Sequence, residues 1–162
     1  MRFDIFSDVV CPWCYIGKRR FARALGQRPD ITPEIAWRAF QLNPDLPREG
    51  MDRAEYIAMK FGTSRRAEEI YKRVTEAGMA EGIDFRFDKI KRTPNTTDAH
   101  RLLLYAAGAG VQEAVLAQLC VGYFTEGADI GETDTLAWLA GEAGLEVEPA
   151  RRFLAGEQGR EL

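Results

Sequence analysis

Histidine is nearly absent from this chain of 162 residues, occurring once at His100, and cysteine occurs three times, at Cys11, Cys14 and Cys120. Three is an odd number and too few for the disulfide framework of a small secreted domain. A closed zinc site needs four ligands, usually a second CxxC or a histidine pair, and neither exists here. Zinc is therefore the lesser reading of Cys11 and Cys14. Charge of one sign is also lacking: 22 Lys and Arg oppose 25 Asp and Glu, for a net −3. Nucleic acid is not an expected partner of such a surface. No apolar run approaches the ~18 residues of a membrane span, so no membrane partner is expected either. Strand-like sequence begins two residues after Met1, at Phe3, leaving no room for a signal peptide, which predicts a cytoplasmic protein. Internal repeats and low-complexity tracts are missing too. What remains is a chain 46% hydrophobic, enough for one cored domain or one domain with an insertion.

Against that background Cys11-Pro12-Trp13-Cys14 is the informative feature. It sits where the apolar run Phe3–Phe6 gives way to a helical pattern. That places Cys11 at a helix N-terminus, beside backbone N–H groups without intrahelical partners and the positive end of the dipole. A thiolate gains from such surroundings, so the Cys11 pKa is expected to fall into the range of roughly 3.5–7.5. Cys14 follows one turn later, within reach of a disulfide with Cys11. Pro12 suits the first helical turn, where its missing N–H leaves nothing unpaired. In a reducing compartment such a pair is redox-active or metal-bound, not a static staple.

The rest of the pattern supplies the frame. Phe3–Phe6 predicts a short strand, and a stripe through Trp13, Gly17, Phe21, Ala24 and Leu25 predicts a helix ended by Gly26 and Pro29. Glu34–Phe40 alternates as a second strand, so the first forty residues read as a βαβ unit with parallel strands. Asn43-Pro44-Asp45-Leu46-Pro47 predicts an extended loop. Helical patterns then run almost to the end: Asp52 with Glu55 as a capping box opening a helix to Phe61, then stripes through Ala67–Ala77, Thr97–Ala107, Val115–Phe124 and Leu136–Ala140, and a last helix opened by Pro149. Phe85-Arg86-Phe87 reads as a short extended piece. Leu102, Leu103, Val115, Leu119, Tyr123, Leu136 and Leu139 are the expected helical core. Cys120 lies within an apolar stripe and reads as a buried hydrophobe. Lys18, Arg19, Arg20 and Arg23 read as a solvated helix face. His100 has no partner carboxylate or cysteine three or four residues away on its helix and is expected at the surface or a boundary. Asp4 and Asp8 are two acids that could carry a proton for Cys14, with a solvated loop or capping role as the plainer expectation for each.

Taken together, Ser7-Asp8-Val9-Val10-Cys11-Pro12-Trp13-Cys14-Tyr15-Ile16-Gly17-Lys18-Arg19, Phe40-Gln41-Leu42-Asn43-Pro44, Arg92-Thr93-Pro94-Asn95-Thr96, Ala99-His100-Arg101-Leu102 and Asp129-Ile130-Gly131 form one ordered set. The set resembles the DsbA-like branch of the thioredoxin superfamily, and within it the FrnE-like dithiol–disulfide isomerases of polyketide biosynthesis. The resemblance implies an α/β, thioredoxin-like (DsbA-like) fold with a large all-helical insertion. Residues 1–44 would form the N-terminal βαβ part of the thioredoxin-like domain and residues 45–162 the helical insertion. It also implies that the hairpin carrying a cis proline, and the last helix, are missing from this chain, so the C-terminal part of the thioredoxin sheet is absent. An open strand edge of that kind would recruit a second copy, a homodimer, and peptide exchange by the chain alone would be weak.

The activity so implied is cytoplasmic thiol–disulfide exchange, as oxidoreductase or isomerase, on protein or small-molecule disulfides and thiols. Cys11 and Cys14 would be catalytic, with Pro12, Trp13, Asn43 and Pro44 binding substrate. No metal or cofactor is implied, apart from glutathione as a redox partner. Two alternatives stay open. One is glutathione-dependent transfer or isomerisation of small aromatics, as in 2-hydroxychromene-2-carboxylate isomerases and kappa-class glutathione transferases, which are similar around the Asn-Pro loop but carry serine at the Cys11 position. The other is a non-catalytic binding or chaperone-like module.

Overall fold

The computed structural model describes residues 1–161, the side chain of Ser64 apart. Strand β1 (Arg2–Ser7), helix α1 (Pro12–Gly26) and strand β2 (Glu34–Ala39) follow one another. β1 and β2 are parallel, with Phe3 opposite Ile35 and Ile5 opposite Trp37. The helix is the crossover that parallel strands require. It packs back on β1 through an edge-to-face contact of Phe21 with Phe3, centroids 5.2 Å apart. The Gln27 N–H closes α1 onto the carbonyls of Ala24 and Leu25.

Trp37 is buried at the centre of β2, while Phe6 and Phe40, at the far end of the strand pair, are exposed. The outer edge of β2 is occupied at its middle. The Gln112 side chain accepts the Trp37 N–H at 3.1 Å and donates to the Trp37 carbonyl at 3.0 Å. One side-chain amide thus replaces a neighbouring strand at that residue, satisfying two backbone groups that a buried edge must pair.

After the Asn-Pro loop, β3 (Met51–Asp52) pairs antiparallel with β4 (Arg92–Thr93), and between them lie α2 (Arg53–Phe61) and α3 (Ser64–Met79). Asp52 caps α2 by accepting the N–H groups of Ala54 and Glu55, as its sequence predicts. Gly50 turns into β3 at φ +73°, and a Cβ there would lie 2.6 Å from the Thr93 carbonyl oxygen. Only glycine fits so close an approach. The extended piece expected at Phe85–Phe87 joins no strand and ends at Phe87. Phe87–Lys89 form a 3-10 turn, and the Arg86 N–H donates to the Phe124 carbonyl at 2.8 Å. Aromatic packing fixes it: Phe85 stacks on Phe87 and meets Tyr15 of α1 edge-on at 6.0 Å.

Helices α4 (Thr97–Gly108), α5 (Gln112–Val121), α6 (Thr133–Glu142) and α7 (Val147–Ala155) complete the chain, with a π turn at Gly122–Glu126 after α5. Pro149 lies within the first turn of α7 instead of opening it. Leu102, Leu103, Val115, Leu119, Tyr123, Leu136 and Leu139 are all buried, in a core that also takes in Val9, Tyr15, Ile16 and Trp37 from the N-terminal unit. Each stripe alone could not leave water; stacked on its neighbours it does. Arg101 is fully buried at the heart of this layer. It pairs with Asp98 at 2.6 Å and donates to the carbonyls of Phe153, Leu154, Gly156 and Gln158, so the segment after α7 closes onto α4. No helix among the described residues is long and apolar enough to cross a membrane.

Candidate active site

Cys11 is the N-cap of α1, held in extended backbone geometry, and its Sγ accepts the Cys14 N–H at 3.3 Å. The strand–loop–helix order puts it there: β1 ends at Ser7, and the Cys11 N–H bonds back to the Asp8 carbonyl at 3.1 Å. Both thiols of the pair are free and half-buried. They differ in ionisation. The Cys14 thiol, donating to the Cys11 sulfur, is the main influence that lowers the Cys11 pKa from 9.0 to about 7. Burial opposes it, and the backbone N–H groups of Cys14 and Trp13 assist. Cys14 moves the opposite way, pushed up first by that same hydrogen bond and then by burial. Hydrogen bonding to the charged form of one sulfur and the neutral form of the other drives the two pKa values apart. Cys120, on α5, is buried and pushed up to about 12 by desolvation, the inert thiol expected from its stripe.

Behind the thiols the structure corrects two expectations. His100 is buried, and its Nε2 lies 3.2 Å from Oδ1 of Asp8, itself buried. Neither residue is at the surface, and Asp8 is not a solvated loop acid. The other Asp8 oxygen accepts the Leu42 N–H at 2.8 Å. The pairing spans 92 residues; α4 runs under the loop after β1 and delivers His100 to it. A buried carboxylate needs such partners. With Cys14, Asp8 lines a small void that also touches Ser7, Tyr15 and Trp37. Asp4, in contrast, is exposed and paired with Arg2 and Arg38, away from the thiols.

The basic cluster of α1 is likewise not merely solvated. Arg20 and Arg23 both pair with Glu81, at 2.9 and 2.7 Å. Lys18 pairs with Glu113, which also accepts from the Trp37 indole. These contacts tie α1 to the helical layer. Arg19 lies 5.7 Å over the Tyr15 ring.

In front of the thiols lies a cavity of about 300 Å³. Cys11, Pro12 and Trp13 form one side of it, Leu42 and Asn43 another, and α2, α3 and the π turn close the rest. Trp13 is half exposed, 51%, so its ring forms part of the entrance. Of the residues expected around substrate, Pro12, Trp13 and Asn43 meet at this cavity. Pro44 is exposed and does not line it. The sequence reading missed Arg53, Tyr56 and Lys60, which wall the cavity from α2. Their spacing of three and four residues puts them on one helix face, and that was the signal available. Tyr56 donates to Asn43 Oδ1 at 3.2 Å and receives Lys60 Nζ at 2.7 Å, linking the loop to the helix. Among the described residues no group of three or more His, Cys, Asp and Glu side chains converges as a metal site requires.

Comparison with known proteins agrees with this geometry. Residues 2–162 match the family described as the DSBA-like thioredoxin domain. The chain is similar to a probable DsbA oxidoreductase of Streptomyces coelicolor, with 33% identity and a TM-score of 0.88 over 98% of this chain and 69% of that one. An uncharacterized protein of Bacillus subtilis (strain 168), YwbO, is 25% identical over 146 residues, covering 90% of this chain and 68% of its own length. A 2-hydroxychromene-2-carboxylate isomerase shares the fold, with 14% identity and a TM-score of 0.67 over 99% of this chain and 74% of that one.

Proposed function

This chain belongs to the DSBA-like thioredoxin domain family, and on that premise we propose that it is a thiol–disulfide oxidoreductase or isomerase working through Cys11 and Cys14. The observation that carries the proposal is the placement of Cys11: a helix N-cap whose sulfur receives the Cys14 N–H and whose pKa falls to about 7. A thiol with a pKa near ambient pH combines a substantial thiolate fraction with retained nucleophilicity.

In the reducing direction the Cys11 thiolate attacks one sulfur of a substrate disulfide. The substrate S–S bond breaks, a mixed disulfide forms, and the departing thiolate takes a proton. Cys14 then gives up its proton and attacks Cys11 Sγ. The second substrate thiolate leaves, and Cys11 and Cys14 remain joined as a disulfide. The substrate has gained two electrons and the protein has lost them; oxidation of a dithiol is the reverse. Asp8, beside Cys14 and held by His100 and the Leu42 N–H, is the acceptor for the Cys14 proton. In this reading residues 1–44 supply the thiols, residues 45–162 form the helical unit that walls the cavity, and the couple exchanges with the cytoplasmic thiol pool. Pro12, Trp13 and Asn43 contact substrate, with Pro44 shaping the loop beside them. Glutathione-dependent transfer without redox cycling has no use for Cys14.

Reduction of bis(2-hydroxyethyl) disulfide by glutathione, followed through glutathione reductase and NADPH, tests the proposal. The protein should accelerate the reaction and Cys11→Ser should not. Equal rates with both proteins would overturn it.

A further inference from the structure

The cavity beside Cys11 carries positive charge that nothing in the exchange reaction uses. Arg53 stands in its wall with the guanidinium 5.7 Å from the Tyr56 ring and 5.3 Å from the Tyr71 ring. It donates to Thr93 Oγ1 at 3.0 Å and to the Tyr71 hydroxyl at 2.7 Å. No carboxylate among the described residues pairs with it, and its buried Nε makes no hydrogen bond. Lys60, exposed at the rim about two turns along the same face, donates to the Tyr56 hydroxyl and likewise meets no carboxylate. Elsewhere the buried or bridging cations are matched, as in Arg101 with Asp98 and Lys18 with Glu113. A third donor lines the same cavity. Tyr123 is 1% exposed, and its buried hydroxyl meets no hydrogen-bond partner among the described residues.

We infer that this cavity binds a small disulfide or thiol with an apolar body and a carboxylate, the carboxylate held by Arg53 and Lys60 while the sulfur reaches Cys11. The inference rests on the exchange reading above and names the substrate class of that site. A guanidinium taken partly out of water without a counter-ion is costly, and a ligand carboxylate supplies the missing charge. The remaining walls, from Phe61, Val74, Phe87 and Phe124, are apolar and favour an apolar or aromatic body. The volume of about 300 Å³ stands at the small end of ligand cavities, which run from roughly 300 to 1,000 Å³. It suits a compact molecule better than a folded protein's disulfide loop.

Two experiments test this with the protein as it is. In the first, Cys11 reacts with the anionic aromatic disulfide 5,5′-dithiobis(2-nitrobenzoate) and with neutral 2,2′-dithiodipyridine. The ratio of the two second-order rate constants should fall about tenfold in Lys60→Gln and in Arg53→Gln, the loss expected when one charge-assisted hydrogen bond is removed. In the second, Cys11→Ser is titrated with 4-phenylbutanoate and with its neutral amide, by calorimetry. The acid should bind at least about tenfold more tightly. This second comparison needs no redox chemistry and no substitution at Arg53, whose loss could loosen the fold. Equal binding of acid and amide overturns the inference. So does an unchanged rate ratio in both variants, or faster reaction of a protein disulfide than of the anionic reagent with equal rates in the variants. Preferential binding of the acid together with no reaction of Cys11 toward either disulfide would instead retain the cavity assignment and sink the exchange reading.

Discussion

Replacing Cys14 with alanine removes the thiol that donates to the Cys11 sulfur while leaving the backbone N–H that reaches the same sulfur at 3.3 Å. The two stabilising influences, side-chain hydrogen bond and helix N-terminus, can therefore be separated by one substitution. A hydrogen bond to a charged group is worth about 1.5–3 kcal/mol, and one pH unit of pKa corresponds to about 1.4 kcal/mol. Cys11 is half-buried, so the lower figure applies, and its pKa should rise from about 7 to about 8. The direction is upward because the lost partner favoured the charged sulfur. At pH 7 the thiolate fraction falls from about half to about a tenth. Rates of alkylation by iodoacetamide, measured from pH 5 to 10 with residue assignment by mass spectrometry, read this directly. Only Cys11 and buried Cys120 remain as thiols in the variant. A Cys11 pKa still near 7 would assign the whole effect to the helix terminus and refute the role given to the Cys14 thiol.

Three further outcomes are expected. Asp8→Asn should slow the second step of exchange more than the first, so that the mixed disulfide with a peptide lives longer; an unchanged lifetime at pH 7 removes Asp8 from proton transfer. His100→Leu leaves Asp8 buried with only the Leu42 N–H as partner and should cost about 1–3 kcal/mol in urea unfolding, whereas a neutral effect would mean that water replaces the imidazole without penalty. Leu119→Ala, at a site with no exposed surface, should cost about 2–5 kcal/mol, and a smaller loss in the same unfolding assay would show that the helical layer collapses into the space.

The elements that carry the thiols were legible in the sequence because their signals are local. Alternation in Phe3–Phe6 and Glu34–Phe40, the CxxC at a strand-to-helix junction, and Asp52 ahead of an apolar stripe each depend on neighbours a few residues away. The helical core was legible for the same reason, since a stripe with a 3.6-residue period reports which side chains leave water. What escaped depends on distant partners. The acid nearest His100 in sequence, Asp98, is two residues away on another face of the helix and pairs with Arg101, and only the course of α4 beneath the loop after β1 brings His100 to Asp8. Lys18 and Arg23 looked solvated because Glu113 and Glu81 lie far along the chain. Gln112 gives no hint that its amide will stand in for a strand beside Trp37. Phe85–Phe87 has the composition of an extended piece, and the edge-on packing of Phe85 against Phe124 and Tyr15 accompanies a 3-10 turn from Phe87 instead. Arg53 and Lys60 were spaced to share a helix face, but nothing local showed that the face would close over Cys11.

The central claim is that Cys11 and Cys14 act as one two-electron couple, and equilibration with glutathione redox buffers tests it most directly. After acid quenching and alkylation under denaturing conditions, the protein should pass between two species as the buffer becomes more oxidising. One carries three alkylated thiols; the other carries one, at Cys120, with a Cys11–Cys14 disulfide and no retained glutathione. Persistent glutathionylation of Cys11 with Cys14 still alkylatable, or no oxidation at any buffer ratio, would contradict the account.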